Sequence, residues 1–486
     1  MRENWIEATL GEVCNINMGQ SPPSSTYNTE KIGLPFFQGK AEFTTLHPVV
    51  IKWCSEPKKI ANENDILLSV RAPVGTTNVA NQKCAIGRGL AAISYSRNYK
   101  YILYYLKLIE RKLDSQGTGT TFKAISGNIL KSQTIPIPPL PEQRAIVAKT
   151  EQLFSELDNG VANLKAAKDK LEIFRQAVLK KAFEGELTKE WRKQQTNLPT
   201  TDELLEKISK KRKTWIEAEV AKGNTEAKRI GNKLKKLKTT AHISEKIPTG
   251  WCWASFLQSC HLVIDCHNKT APYEDNGIHL VRTTNVRNGR LNLKEKIKYV
   301  SQETFEYWSR RCIPEPGDIL FTREAPMGEA AIIPKDTQVC MGQRMMLLKV
   351  FSNCLNNKYL LYNILSATFQ QRSIKNAIGT GVKHLRVGDV EQLVFPICSY
   401  EEQVQIVQEI ETRLSVCDNA IANIEESLIK SEALRQSILK KAFEGKLLTN
   451  TELQACRQEP DWEPAAKLLE RIKNNKQSTP RKKSTT

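Results

Sequence analysis

The sequence predicts an α+β protein. Two mixed α/β globular domains are joined by two long antiparallel coiled-coil helices, in a pseudo-twofold internal repeat. Three observations lead there. A 46-residue stretch occurs twice, at an offset of 260. Both copies carry apolar residues at alternating spacings of three and four. The segments before each copy mix short strand-like and helix-like runs.

Residues 1–141 form the first globular domain. Ile66-Leu67-Leu68-Ser69-Val70 and Ala91-Ala92-Ile93, bounded by Gly, Pro and Asn, predict short strands. Tyr101 through Ile109 predicts a helix. Pro136, Pro138, Pro139 and Pro141 then close the domain, because proline lacks the N–H that a continuing element needs.

Residues 142–188 are the first long helix. Glu142 suits a first turn, where free N–H groups favour negative charge. The expected seam is Thr150, Leu153, Leu157, Gly160, Leu164, Ala167, Leu171, Phe174 and Val178. Gly185 is the expected stop. A helix of roughly 40 residues is about 60 Å long, and its apolar stripe needs a cover. The second copy, with the same period, is the simplest cover; packing of each helix on its own domain is the alternative.

Residues 189–248 are a basic helical linker; within 189–240 there are 15 Lys and Arg against 7 Asp and Glu. Lys210-Lys211-Arg212-Lys213 and Lys235-Lys236-Leu237-Lys238 suit either phosphates or a solvated helix face. Leu204 through Ile208 predicts a short helix that docks on a partner or on the long helices.

Residues 249–398 are the second globular domain. Asp318-Ile319-Leu320-Phe321 answers Asp65-Ile66-Leu67-Leu68, and Ala325-Pro326 answers Ala72-Pro73. Gly379-Thr380-Gly381 answers Gly117-Thr118-Gly119, and Tyr359 through Phe369 answers the earlier helix. Residues 399–449 are the second long helix. Aligned without gaps, 402–447 matches 142–187 at 22 of 46 positions, closing on Leu439-Lys440-Lys441-Ala442-Phe443-Glu444-Gly445. Its expected seam includes Ile410, Leu414, Ile421, Ile424, Leu434 and Ile438. Residues 450–486 are a C-terminal helix, where Leu468 through Ile472 echoes Leu204 through Ile208, and a disordered tail from Ser478. The near-constant helices suggest one job done twice; the drifted domains suggest two different jobs.

Loop residues with base- or phosphate-binding chemistry are Gln20, Ser21, Gln38, Lys40, Arg71 and Lys123 in the first half. The second half offers Arg282, Asn285, Arg287, Arg290, Arg323, Lys383 and His384. Arg and Lys suit guanine acceptors, and Gln and Asn suit adenine. Any one of them could equally be an ordinary solvent-facing loop residue; the case rests on two such loop sets.

Bulk properties agree. The chain has 486 residues, enough for two or three cores. Its net charge of +19 favours a polyanionic partner, which ribosomal surfaces or acidic lipids would also satisfy. Twelve scattered cysteines without a CxxC pair suggest a reducing compartment. No leader-like start and no apolar run near 18 residues are present, so the expectation is a cytoplasmic protein. There is no GxxxxGK[ST] site and no amino-methyltransferase motif. Cys260, His261, Cys266 and His267 lie close together, but adjacent ligands at this spacing are unusual for zinc, and no metal is expected.

Taken together, the chain resembles the specificity subunits of bacterial type I restriction-modification systems. The resemblance rests on Ile135 through Ile146, on Leu179 through Leu187, and on their partners Glu401-Glu402-Gln403 and Leu439 through Leu447. Gly19-Gln20-Ser21-Pro22-Pro23 matches the start of a target-recognition domain in that family. The second half departs at Pro396-Ile397-Cys398-Ser399-Tyr400, where the proline run is thinned. The resemblance implies that each globular domain reads one half of a split, asymmetric site in double-stranded DNA. It implies that the helix pair sets the spacer; six to eight base pairs is roughly 20 to 27 Å at about 3.4 Å per pair. It further implies two adenine-methyltransferase subunits and two ATP-dependent restriction subunits as partners. S-adenosylmethionine, Mg2+ and ATP would be bound by them, with no cofactor or catalytic residue in this chain and no membrane. The competing reading is an adaptor: two protein-binding domains on a coiled coil, with incidental charge. A free-standing methyltransferase is a third, without a motif to support it. Binding that weakens steeply with salt yet keeps a sequence preference separates the first two.

Overall fold

The computed structural model describes residues 4–119, 123–235, 243, 245–375, 377–379 and 383–477. The expected Thr380-Gly381 echo, the Lys236-Leu237-Lys238 run and the tail from Ser478 lie outside them. Two compact units form: Met1–Lys165 with Ile424–Thr486, and Ala166–Asn423. Each long helix therefore contributes one half to each unit.

In the first unit, Ile6–Thr9 pairs antiparallel with Thr134–Ile137. A four-stranded antiparallel sheet runs in the order Asn15–Met18, Leu90–Ser94, Ile66–Ser69, Thr77–Val79. Side chains alternate across a strand, so Ile66–Ser69 faces two cores. Ile66 and Leu68 pack with Ile93, Tyr101, Ile102 and Leu106 of the helix Tyr99–Leu108. Leu67 and Ala92 pack with Phe37 and Ile86 of a five-stranded sheet. That second sheet contains one parallel pair, Leu34–Phe37 with Cys84–Ile86.

The second unit repeats the plan. Cys252–Ser255 pairs with Val394–Ile397, and the central sheet runs Leu262–Asp265, Met345–Lys349, Ile319–Thr322, Ala330–Ile332. Ile319 and Phe321 belong to one core and Leu320 to another. Again there is one parallel pair, Ile278–Val281 with Val339–Met341. The expected α+β repeat is thus the observed architecture.

The long helices are Leu140–Phe183 and Tyr400–Phe443. The first opens two residues before Glu142, because proline is tolerated in a first turn and Pro141 does not break it. Gly185 and Gly445, both at φ +74°, end the helices. Glu186 N–H donates to Lys181 O at 2.9 Å, and Lys446 N–H to Lys441 O at 2.8 Å, the closing bonds of a Schellman stop.

Within each unit the helix halves run antiparallel. In the first, Phe154 packs on Ile438 and Leu439, and Arg435 pairs with Asp158. In the second, Val178 and Leu179 share a core with Ile406, Ile410 and Leu414, and Arg175 pairs with Asp418. Arg435 and Asp418 are the repeats of Arg175 and Asp158, so the two ion pairs are reciprocal.

The seam differs from expectation at alternate positions. Covered residues follow Thr150, Phe154, Leu157, Val161, Leu164, Lys168, Leu171, Arg175 and Val178. Leu153, half-buried, flanks this line. Phe174 and Leu434 are 47% and 51% exposed, while their neighbours Arg175 and Arg435 lie in the seam. An Arg stem covers apolar surface while its head finds a carboxylate, so the charged residue takes the inward position. In the second copy Ile410, Leu414, Ile421, Ile424 and Ile438 keep their expected places.

The linker is more structured than expected. Leu204 through Ile208 lies in the 21-residue helix Thr201–Ala221, which docks with Phe183 on the second unit's core. Arg212 is buried, donating to Leu257 O at 2.6 Å and Cys260 O at 2.8 Å, and is therefore removed from any phosphate-binding run. Lys476, on the helix Ala465–Gln477, does the same in the first unit, donating to Gly11 O at 2.5 Å and Cys14 O at 2.6 Å. Among the described residues, no helix is long and apolar enough to cross a membrane.

Candidate nucleic-acid interface

In the first unit, four backbone hydrogen bonds gather separate loops at one end of the central sheet. Gly19 N–H donates to Leu90 O at 2.8 Å, Gly87 N–H to Phe37 O at 2.8 Å, Val70 N–H to Gly89 O at 2.9 Å, and Ile125 N–H to Val70 O at 3.0 Å. Glycine is required because the strands converge: a Cβ at Gly89 would stand 2.4 Å from Gln38 O. Gln20, Ser21, Gln38, Lys40, Arg71 and Lys123, the residues expected from sequence, all lie on these segments. All but Ser21 are exposed. Lys123 reaches Asp114 at 3.4 Å.

The second unit has the same four bonds. Cys266 N–H donates to Met345 O at 3.1 Å, Gly342 N–H to Val281 O at 2.7 Å, Arg323 N–H to Arg344 O at 2.8 Å, and Leu385 N–H to Arg323 O at 3.0 Å. This register makes Gln20 equivalent to His267, Gln38 to Arg282, Arg71 to Glu324, Arg88 to Gln343, and Lys123 to Lys383. The scaffold is shared, while the side chains on it differ at four of these five positions.

The second set of expected residues divides. Arg282 and Lys383 sit on the converging loops, with His384 bridged to Glu324 and Ile378. Arg282 donates to Lys296 O at 2.8 Å. Arg287 folds back on Thr283 O at 2.8 Å. Arg323 is half-buried and donates to Leu385 O at 3.2 Å, which holds it inside the loop set. Arg290, paired across a short antiparallel ladder with Arg287, donates to Asp418 of the long helix at 3.1 Å. Asn285 is 2% exposed; its carbonyl oxygen accepts from Arg282 N–H at 3.1 Å and its amide donates to Asn292 O at 3.3 Å. Its hydrogen bonds are spent on the turn, so it has no base-reading capacity in this conformation.

Sequence reasoning missed the turns at Gly87-Arg88-Gly89 and Gly342-Gln343-Arg344. The signal was a lone long side chain in a glycine-containing turn between two apolar strands. Arg344 answers Gly89 with φ +66° and pairs with Glu324 at 3.2 Å.

The clustered residues Cys260, His261 and His267 have partners other than a metal. Cys260 is buried beside Arg212; His261 stacks on Phe351 at 4.1 Å; His267 lies 4.6 Å from the Trp308 ring. Burial, with Lys349 and Arg212 nearby, pushes the His261 ring down to about 4. All twelve cysteines are free thiols. Among the described residues, no three His, Cys, Asp or Glu side chains group to hold a metal ion.

Comparison with known proteins adds a family. A model of the type I restriction modification DNA specificity domain matches residues 2–166 and 266–430. The putative type I restriction enzyme MjaX specificity subunit of Methanocaldococcus jannaschii is 45% identical over 157 residues, 31% of this chain and 37% of that protein. The type I restriction enzyme EcoBI specificity subunit of Escherichia coli is 24% identical over 497 residues, covering 100% of this chain and 95% of that one. The crystal structure of the HsdS subunit from Thermoanaerobacter tengcongensis matches at 52% identity, over 32% of this chain and 39% of that chain, with a TM-score of 0.30. The chain thus spans under half the length of two of these three.

Proposed function

This chain belongs to the type I restriction-modification DNA specificity family, and from that premise we propose that it recognises a bipartite, asymmetric DNA site for a methyltransferase and restriction complex. Each unit's loop set reads one half-site. The paired long helices fix the number of unread base pairs between the halves. The helices and the segments beside them recruit two adenine-N6 methyltransferase subunits, which bind S-adenosylmethionine, and two ATP-dependent restriction subunits, which use Mg2+. The complex works in the cytoplasm.

One observation carries the reading. The same converging-loop scaffold is built twice on one chain, with different polar side chains on it each time. Equal scaffolds with unequal readers are what an asymmetric two-part site requires, because base edges are distinguished by donor and acceptor pattern. The net charge of +19 suits the phosphate contacts that position such a reader.

The test is to express the chain with its methyltransferase subunits and map N6-methyladenine genome-wide. The expected result is one motif of two unlike halves separated by a fixed gap. Methylation of a single contiguous site, or none in an assembled complex, would overturn the proposal.

A further inference from the structure

Resting on that reading, we propose that the turn apex at Arg88, and its equivalent Gln343, is a base-reading position, with Arg88 taking a guanine and Gln343 an adenine.

Arg88 is the exposed middle of a turn whose two neighbours, Gly87 and Gly89, are buried. The turn is clamped on both sides. Gly87 bonds Phe37 O, Gly89 O accepts from Val70 N–H, and Arg88 N–H donates to Ser21 Oγ at 3.2 Å. A Cβ at Gly19 would meet Gly87 O at 2.1 Å, so the neighbouring loop presses directly on the turn. A short, pinned backbone at the hub of four loops fixes where its side chain starts. Such placement favours bidentate contact, which demands orientation as well as charge.

Gln343 stands at the same place in the second unit. Its amide nitrogen donates to Asn268 O at 2.9 Å and its oxygen accepts from Thr270 Oγ1 at 3.3 Å. Each amide atom keeps one further hydrogen-bonding direction, so the side chain is oriented and still able to pair. A phosphate-binding role would favour a cation in both halves, as at Lys123 and Lys383. Arg and Gln have in common the bidentate match to a purine edge, guanine O6/N7 for one and adenine N6/N7 for the other.

The experiment uses the full chain in complex with its methyltransferase subunits. Methylation maps and competition binding are compared for wild type, R88Q, Q343R and R88K. The competitors carry every single base-pair substitution in each half-site. R88Q should lose discrimination at one G·C pair of one half-site by roughly 5- to 150-fold, leaving the other half-site and the gap unchanged. Q343R should do so at one A·T pair of the other half. R88K should retain a preference for guanine. Relative affinities among competitors are independent of the folded fraction, so poor folding cannot imitate the result. A uniform loss across all competitors with a shallower salt dependence identifies a phosphate contact and overturns the inference while leaving the bipartite reading intact. Absence of a two-part motif in the wild type overturns the bipartite reading itself.

Discussion

At the scale of single residues, the two halves repeat both the residues and the bonds that tie each domain to its long helix. Trp5 Nε1 donates to Glu142 at 2.8 Å, and Trp251 Nε1 to Glu402 at 2.9 Å. Tyr101 and Tyr359 each donate at 2.8 Å to a carbonyl of the strand before a long helix, at Pro136 and Pro396. The two carboxylates differ in their support. Glu402 also receives Thr188 Oγ1 at 2.8 Å and pairs with Arg192, whereas Glu142, 3% exposed, has Trp5 as its side-chain donor. W5F should therefore cost about 2–3 kcal/mol of stability by stranding a buried carboxylate, and W251F about 1 kcal/mol less, as read from urea midpoints. Equal losses would count against this assignment. His261 gives a pH signature. Its folded-state value of about 4 lies below the ordinary 6.5, so the unfolded chain binds the extra proton between those values. Stability from this site is full above pH 6.5 and is lost as pH falls toward 4. H261F keeps the stack on Phe351 and should flatten the dependence of melting temperature on pH over that window. A variant with the wild-type slope would show that another group titrates there. The carboxylate, carbonyl and ring partners of these residues were not legible in sequence, because burial and through-space contacts decide them.

At the scale of elements, the two long helices were readable because duplication, a proline-rich entry and a glycine stop coincide. The seam was only half readable. Leu153 and Phe154 are adjacent, as are Ile173 and Phe174, so apolar periodicity alone fits two registers. The register in the fold places Lys168 and Arg175 inward, which a hydrophobic pattern cannot anticipate. The strands were found only where apolar residues formed a continuous run; the short strands of the flanking sheets carry too few residues to show a period. The first-half candidates Gln20, Ser21, Gln38, Lys40, Arg71 and Lys123 fall on one set of converging loops, since glycine and polar donors mark such loops in sequence. The second-half candidates divide, because Asn285 and Arg290 carry the same polar chemistry as the loop residues and sequence does not show that their partners lie within the protein. The helix stop offers a direct check. Gly185 has φ +74°, and a Cβ there would stand 2.2 Å from Pro248 Cγ. G185A should destabilise the second unit by at least about 1 kcal/mol in thermal or urea unfolding, and a neutral substitution would refute the left-handed stop.

At the scale of the whole molecule, the proposed function requires two half-site readers on one pair of long helices. The reciprocal pairs Arg175–Asp418 and Arg435–Asp158 hold the same helix register in each unit. A heptad inserted into both helices, after Lys165 and after Glu425, keeps the seam in phase. Seven residues add about 10 Å of helix, or about three base pairs of duplex. The decisive measurement is a genome-wide map of N6-methyladenine in cells carrying the complete system with this lengthened chain. The account predicts the two wild-type half-sites unchanged and the gap between them wider by about three base pairs. An active variant that methylates the original motif with its original gap would contradict it.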